Sequence, residues 1–262
     1  SVNYSQPTWR DDLFLVRTVG NETYDQTTRE PYDPENFSIS GSLDYYLSDN
    51  HSIGIGGRFN NRKSTRTASS KTIISDENNR NTLFSENYFD RDRANFNINP
   101  YYEYKTDTDK LVVDFNYVDF TNDNTNTLYD VEGSTIAFDD RKYIQNGTYN
   151  IKTYRIDYSK TISDNFKISA GTRFADVTTD NDLQSFEENN SNFEKLEEES
   201  SRFIIDENIF ALYSKINANY GKWSFSGGLR YENSNTDGTS TFLKDGTPTT
   251  KKKKRPIKKV FP

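Results

Sequence analysis

The chain has 262 residues and a formal net charge of −7. Only 32% of its residues are hydrophobic, against about 45–50% in ordinary soluble domains. Aromatic residues make up 15% of the chain, and this content argues against disorder, because disordered chains are poor in aromatics. A polar average with many aromatics is typical of a wall with one wet face and one apolar face, as in membrane barrels.

Several classes of function are disfavoured by what the sequence lacks. There is no Cys, so neither a disulfide nor a thiol metal site can form, and His51 is the single histidine. No catalytic residue set, metal site or cofactor is therefore expected, and an enzyme is the least favoured class. No apolar run reaches the length of a transmembrane helix. The acidic balance disfavours nucleic acid as a partner.

One unit recurs along the chain: a polar/apolar alternating strand, a short polar turn and a second alternating strand. In its first copy, Phe37, Ile39 and Leu43 share one face, and the turn lies at 48–50. Further short turns are predicted at 106–109, 163–165 and 220–222. Segment 8–20 is predicted as another strand that enters through a loop at 21–36, and 257–262 as the start of a last one. The total is about ten strands.

The links between these hairpins are long and rich in Asn, Asp, Thr, Ser and Glu; they cover 60–94, 120–148, 176–203 and 233–256. Short turns on one rim and long loops on the other are typical of outer-membrane barrels. The predicted fold is an all-β, antiparallel transmembrane β-barrel with short periplasmic turns and long extracellular loops. Since lipid does not tolerate an open sheet edge, the strands counted here are predicted to be part of a larger barrel. Pro100, inside a predicted strand, requires a bulge or a local distortion.

Three of the four strands that follow the short turns share a Gly-x-Arg-aromatic motif. It appears in HSIGIGGRF (51–59), FKISAGTRF (166–174) and WSFSGGLRY (223–231). Alternation places the arginines on the polar face, together with acidic residues near the turns. These charged residues are predicted to face the lumen and are candidates for contact with a plug or a solute. They are Arg58, Arg173, Arg230, Glu232, Asp44, Glu103 and Asp157. The alternative is a hydrated wall whose charges pair with each other or face water. Outward aromatics near the turns predict an interfacial girdle.

Three polar clusters are candidates for further sites. Oxygen ligands for Ca²⁺ could come from Asp119, Asn122, Asp123, Asn124 and Asn126. Cations or a basic partner could bind the acidic cluster Glu187, Glu188, Glu194, Glu197, Glu198 and Glu199. For both, a solvated loop is the favoured interpretation. The basic run 251–255 is predicted as a loop descending to a strand, where it could contact lipopolysaccharide.

Two segments resemble a known family. Glu207, Ile209, Ala211 and Tyr213, followed after a turn by Trp223 and by Gly228-Leu229-Arg230-Tyr231-Glu232, resemble the barrel of TonB-dependent outer-membrane receptors. The end of the chain, RPIKKVFP (255–262), looks like the strand on which that barrel closes. The hairpin at Leu43-Asp44-Tyr45 and the Asn- and Asp-rich loops resemble the Bacteroidota version.

The resemblance implies a barrel of about 22 strands with an N-terminal plug and energy-coupled uptake of a siderophore, glycan or peptide in the outer membrane of a Gram-negative bacterium. Residues 1–262 would then be a partial barrel domain, since the chain contains neither a plug nor a signal peptide. The implied partners are outer-membrane lipid and lipopolysaccharide, a plug domain, TonB and a surface lipoprotein. One alternative is a non-transporting barrel that acts as a scaffold, a secretion-associated subunit or an adhesin. A second is a soluble all-β binding domain.

Overall fold

The computed structural model describes residues 1–136, 138–190 and 192–261. These residues form one antiparallel sheet with a single short 3-10 helix at Glu197–Glu199. The strands are β1 (Val2–Ser5), β2 (Trp9–Val19), β3 (Glu22–Tyr32), β4 (Glu35–Ser48), β5 (His51–Ser75), β6 (Arg80–Lys105), β7 (Asp109–Asp130), β8 (Arg141–Ser163), β9 (Phe166–Asn189), β10 (Asn192–Lys195), β11 (Ser201–Tyr220), β12 (Trp223–Lys244) and β13 (Thr247–Phe261). No helix among the described residues is long and apolar enough to cross a membrane.

The strands form a meander in which neighbours in the sheet are mostly neighbours in sequence. The continuous path is β1-β4-β5-β6-β7-β8-β9-β11-β12-β13, while β2, β3 and β10 lie beside it. The all-β prediction is confirmed, and the path matches the predicted count of about ten strands. Within the described residues β1 and β13 are not paired with each other, so the sheet is an open part of a barrel.

The four predicted short turns are all present on one rim of the sheet. They join β4 to β5, β6 to β7, β8 to β9 and β11 to β12. The last turn contains Gly221, whose φ of 57° lies in the left-handed region that favours glycine. These turns fix the register of the hairpins they close, and therefore which side chains share a face.

The connections on the opposite rim differ from the irregular loops that their composition suggests. β5 and β6 pair without a break from His51↔Tyr104 to Ser75↔Arg80, so nearly all of the 60–94 connection is a hairpin. The same holds for most of the other long connections, where β7 pairs with β8, β9 with β11 and β12 with β13. Hydrophobic alternation fades here because both faces are polar. Ladder hydrogen bonds and polar cross-strand pairs, such as Asn61 Nδ2 to Asp92 Oδ1 at 2.6 Å, hold these extensions together.

The turn between β5 and β6 shows how such a polar hairpin closes. The Asp76 carboxylate accepts hydrogen bonds from the backbone N–H groups of Asn78, at 2.7 Å, and Asn79, at 2.6 Å. These bonds hold the pKa of Asp76 below its usual range. An Asx-type turn of this kind lets Asp, rather than Gly, reverse the chain.

The prediction for the N-terminal segment was wrong in one respect. Residues 8–20 do form a strand, but β2 is one half of a hairpin with β3, which pairs with the far end of β5 through Thr23↔Ser75. This hairpin lies beside the polar end of β5, far from the short turns. The first strand of the wall is β1, which pairs with β4 through Val2↔Ile39. Segment 21–36, expected to be a loop, belongs mostly to β3. The run Leu13-Phe14-Leu15-Val16 does not alternate, so its pattern could not reveal which strand it would pair with.

Pro100 interrupts the ladder without a bulge. Pairing between β6 and β7 stops after Ile98↔Tyr117 and resumes in the same register at Tyr101↔Asp114. The Phe115 carbonyl, opposite the proline, accepts a hydrogen bond from Asn99 Nδ2 at 2.8 Å instead. A neighbouring side chain thus replaces the N–H that proline lacks, which matters because lipid offers no water to an unpaired carbonyl.

We expect Asn99→Ala to destabilise the sheet by about 1–3 kcal/mol, because it leaves the Phe115 carbonyl without a donor. The matched test is Pro100→Val, which restores the backbone N–H. In the Pro100→Val background, Asn99→Ala should lower the free energy of unfolding much less. Denaturant unfolding in lipid vesicles of the wild type, the two single variants and the double variant measures this coupling. An equal loss of stability in the two backgrounds would contradict this role for Asn99.

The two faces of the sheet differ in exposure as well as in polarity. The most buried residues on the polar face are small: Ala68, Ala175, Ala211, Thr153, Ser185 and Ser234. Large apolar residues on the other face are open to the surroundings, Leu43 at 70% and Phe225 at 59%. This distribution fits a sheet that curls toward its polar face, where longer neighbours cover small side chains. We call the polar face the inner face and the apolar one the outer face.

Candidate functional site on the inner face

The strand register brings all seven predicted lumen-facing residues to one face. Asp44 lies opposite Gly54, which lies opposite Tyr101. The same row continues through Asp114, Arg155 and Arg173 and ends at Glu232. The remaining candidates, Arg58, Glu103, Asp157 and Arg230, lie an even number of residues from members of this row on their strands. Side chains alternate along a strand, so they face the same way.

Most charges near the middle of this face belong to one connected network, the polar belt, formed by Asp114, Arg155, Asp157, Tyr213, Arg230 and Glu232. Arg155 Nε lies 2.7 Å from Asp114 Oδ2 and 3.2 Å from Asp157 Oδ2. The Tyr213 hydroxyl donates to Asp157 Oδ1 at 2.5 Å. The Arg230 guanidinium lies 5.7 Å from the Tyr213 ring and pairs with Glu232 at 2.7 Å. The belt crosses from β7 to β12 and links these charges to one another across adjacent strands.

A Tyr-over-Gly contact occurs twice in this region. Tyr213 spans Gly171 to reach Asp157, and Tyr101 spans Gly54 to reach Asp44. A Cβ on Gly171 would lie 2.5 Å from Asp157 Oδ1 and 2.5 Å from Tyr213 Cε2, so only glycine leaves room for the ring. The aromatic ring covers a residue with no side chain of its own and ties three adjacent strands together. This explains the glycine before Arg173.

The predicted residues therefore have different surroundings. Asp157, Arg230 and Glu232 belong to the polar belt, Asp44 to the Tyr101 contact, and Glu103 pairs with Lys110 at 2.8 Å. Arg58 and Arg173 are exposed and form no ion pair with any described residue. Five of the seven side chains thus hold the wall together, and two arginines are exposed; contact with a plug or a solute stays a prediction.

The sequence motifs missed four members of these contacts: Asp114, Arg155, Tyr101 and Tyr213. The tyrosines lie on the polar face of strands whose other aromatics point outward. The distinguishing feature is their register opposite Gly54 and Gly171. It could be read only after the hairpins were paired across the long connections.

The three other polar clusters lie mostly in strands rather than in the predicted loops. The calcium candidates lie on β7, where Asp119 and Asp123 face one side and the three asparagines the other, so they cannot share an ion. Among the described residues no group of three or more His, Asp or Glu side chains is placed to hold a metal. In the acidic cluster, Arg141 pairs with Glu187 at 2.8 Å and with Glu199 at 3.3 Å.

Another acid of that cluster, Glu188, shares a hydrogen bond with Asp140 that raises its pKa. The basic run 251–255 lies within β13 rather than in a loop. One of its lysines, Lys254, pairs with Asp237 at 3.0 Å.

The outer face carries two bands of aromatic residues with aliphatic residues between them. The band near the short turns, which the sequence predicted, includes Tyr45, Tyr102, Tyr104, Tyr158, Phe166 and Trp223. A second band, which the sequence analysis did not identify, lies about nine residues up the strands and consists of Phe37, Phe59, Phe96, Tyr117, Tyr154, Phe174, Phe210 and Tyr231. Three pairs of neighbouring rings in it are in contact: Phe37 with Phe59, Phe96 with Tyr117, and Tyr154 with Phe174, the last with centroids 6.2 Å apart. Two aromatic bands around an apolar zone mark the two interfaces of a membrane.

Comparisons with known proteins agree with this geometry. Residues 102–262 match the model of the outer membrane protein beta-barrel family. No curated protein sequence matches the chain. Among solved structures, the ferric yersiniabactin uptake receptor FyuA from Yersinia pestis is similar with a TM-score of 0.50 at 10% identity, over 91% of this chain and 41% of that one. At this identity the likeness shows the fold alone.

Two further structures show weaker similarity. The siderophore receptor PiuA from Acinetobacter baumannii has a TM-score of 0.46 at 9% identity, over 98% of this chain and 46% of that one. The outer membrane protease OmpT from Escherichia coli has a TM-score of 0.30 at 8% identity, over 99% of this chain and 95% of that one. The chain thus spans less than half the length of the two receptors.

The family match covers more than half of the chain, including the polar belt from Asp114 to Glu232. It confirms the predicted location in the outer membrane of a Gram-negative bacterium and removes the soluble all-β alternative. The chain belongs to the outer membrane protein beta-barrel family.

Proposed function

We propose that the chain is part of the barrel wall of a TonB-dependent receptor that imports a solute. The observation that carries the proposal is the width of the wall. Ten strands follow one path and the sheet is still open, so the complete barrel has more strands than this. Barrels of about 22 strands, the size that the resemblance implies, have a plugged lumen.

Two other observations support this proposal. The segment 206–232, which resembles the receptor barrels, forms the β11–β12 hairpin and contributes Tyr213, Arg230 and Glu232 to the inner face. FyuA, whose fold is similar, is an uptake receptor for ferric yersiniabactin. We carry over the uptake role and not that ligand. A plug domain and TonB are the proposed partners, and the Bacteroidota assignment rests on the hairpin at Leu43-Asp44-Tyr45 and the Asn- and Asp-rich connections.

The inner face suits a plug contact. Arg58 and Arg173 are exposed, while the polar belt around them is internally paired. A plug with acidic side chains at this level would meet two cations that the wall does not neutralise. We expect the belt to keep the wall rigid while the two arginines contact the plug or the passing solute.

The proposal predicts a barrel that is closed at rest. The full-length protein that contains this chain, inserted in a planar bilayer, should conduct little until urea unfolds the plug and opens a large pore. The control is a variant from which all sequence before the barrel has been deleted, which should conduct without urea. Equal, high conductance of both proteins would contradict the receptor assignment and favour a passive channel.

The second candidate is a non-transporting barrel that serves as a scaffold, a secretion-associated subunit or an adhesin. The long paired extensions of β5 to β9 favour it to some degree, because they present a broad surface beyond the membrane. A closed barrel that urea does not open, together with a stable protein partner that co-purifies with it, would support this candidate over the receptor.

A further inference from the structure

Four arginines converge on the inner face beyond the second aromatic band. Arg62 and Arg66 come from β5, and Arg91 and Arg93 from β6. The register pairs Arg62 with Arg93 and Ser64 with Arg91, so all four point to the same side. They line a cavity of about 110 Å³ together with Tyr32 and Ser64. This arginine cluster lies further from the short turns than Phe59 and Phe96, and therefore at the outer entrance of the lumen.

The cluster has little negative charge to balance it. Arg66 forms an ion pair with Glu30, and its guanidinium lies over the Phe89 ring at 4.6 Å. Asp11 of β2 pairs with Glu30 of β3 and lies one strand further from the cluster than Glu30. Asp92 belongs to the outer face, where it pairs with Lys63 at 3.3 Å.

The remaining contacts of the cluster are neutral. Arg93 Nε donates to Asn122 Oδ1 at 2.7 Å, and Arg91 Nε donates to Asn124 Oδ1 at 3.4 Å. Arg62 has no acidic partner among the described residues. Amide oxygens satisfy hydrogen bonds but do not neutralise a cation, so most of the positive charge stays uncompensated.

This crowding has an electrostatic cost. Burial lowers the pKa of Arg91, and the neighbouring Arg93, Arg66 and Arg62 lower it further, against a smaller opposing effect of Glu30. Like charges held at one site favour any ligand that supplies the opposite charge. Guanidinium groups match the two oxygens of a carboxylate or phosphate, which they bind through paired hydrogen bonds.

We propose that the arginine cluster is an entrance site for a small anionic solute, which binds through a phosphate or carboxylate group held by Arg62, Arg91 and Arg93. The cavity has room for one such group and not for a large apolar ligand. Arg66 is held by Glu30 and Phe89 and forms the back of the site. As a statement about the imported substrate, the proposal rests on the proposed uptake function. As a statement about anion binding, it stands on the cluster alone.

The test uses the full-length protein in detergent at low salt. Inorganic pyrophosphate and citrate are the multivalent probes, and acetate is the monovalent comparison. Isothermal titration calorimetry should show binding of the two multivalent probes and little binding of acetate. The double variant Arg91→Gln/Arg93→Gln should weaken binding of the two multivalent probes at least tenfold. Arg62→Gln, at an exposed position, should weaken it several-fold without a change in thermal stability. Lys63→Gln, a neighbouring cation on the outer face, should change it less than twofold.

Equal affinities for the wild type and the arginine variants would overturn the site. The site would also be overturned if neither probe binds and the cluster cross-links to an acidic protein segment. That result would assign the arginine cluster to a protein contact. Uptake is scored separately in cells with and without TonB. Anion binding without TonB-dependent uptake of the same anion leaves the site in place and removes its role in import. TonB-dependent uptake that the arginine variants do not affect keeps the proposed function and removes the cluster from the import path. The proposed function is tested independently by the urea-dependent conductance.

Discussion

Leu43→Arg should destabilise the barrel by about 2–4 kcal/mol, whereas Ser42→Arg, one residue away, should change its stability by less than about 1 kcal/mol. Leu43 is 70% exposed on the outer face, next to Ile55 and between Phe37 and Tyr45 of the two aromatic bands. An arginine there must enter the hydrocarbon. Ser42 faces inward opposite Gly56, where a long cation reaches water.

The measurement is reversible unfolding by denaturant in lipid vesicles. The same pair of variants in a detergent micelle provides a control, because a thin micelle lets the arginine reach water and the difference should shrink. Equal costs for the two variants in vesicles would show that this wall does not contact lipid, and a larger cost for Ser42→Arg would show that the faces have been assigned the wrong way round.

Gly54→Ala should cost about 1–3 kcal/mol, because a Cβ at that position overlaps the Asp44 carboxylate and the Tyr101 ring. Gly56→Ala is the matched control on the same strand and face, where nothing lies within 4 Å of an added Cβ. It should be neutral or stabilising by up to about 1 kcal/mol, since alanine loses less backbone entropy than glycine on folding.

A second variant separates steric overlap from other effects of the substitution. In a Tyr101→Ala background the ring is absent, so Gly54→Ala should cost clearly less than in the wild type. Gly171→Ala should repeat the result at the second Tyr-over-Gly contact, with Tyr213→Ala as its partner. A similar cost for Gly54→Ala and Gly56→Ala would contradict the contact described here.

The parts of the fold that the sequence predicted correctly are those where one face is apolar. Alternation from Phe37 to Leu43 and the turn around Asp49 located the first hairpin, and the same holds for the three others. Where both faces are polar, as from Asn60 to Ala94, successive residues do not alternate between polar and apolar. The sequence therefore could not show that the strands continue there.

The candidate site was predictable in the same limited way. Parity along single strands placed Arg58, Arg173 and Arg230 on the inner face. It could not show that Arg155 pairs with Asp114 of the adjacent strand while Arg173 has no ion pair among the described residues, because such pairs depend on the register between strands. The arginine cluster was missed for the same reason: Arg62 and Arg93 are far apart in sequence and meet only once β5 and β6 pair along their full length.

The strand extensions beyond the second aromatic band have a consequence for how the barrel is assembled. If the short turns are periplasmic, the far ends of β5 and β6, with their arginines, asparagines and acids, must cross the hydrocarbon during insertion. An unpaired strand would carry every backbone N–H and C=O through lipid without a partner. The meander pairs most strands with a sequence neighbour, so a hairpin can satisfy most of these groups before it moves. We therefore expect the closed hairpin to be the unit that inserts, with the turn around Asp76 leading it across the membrane.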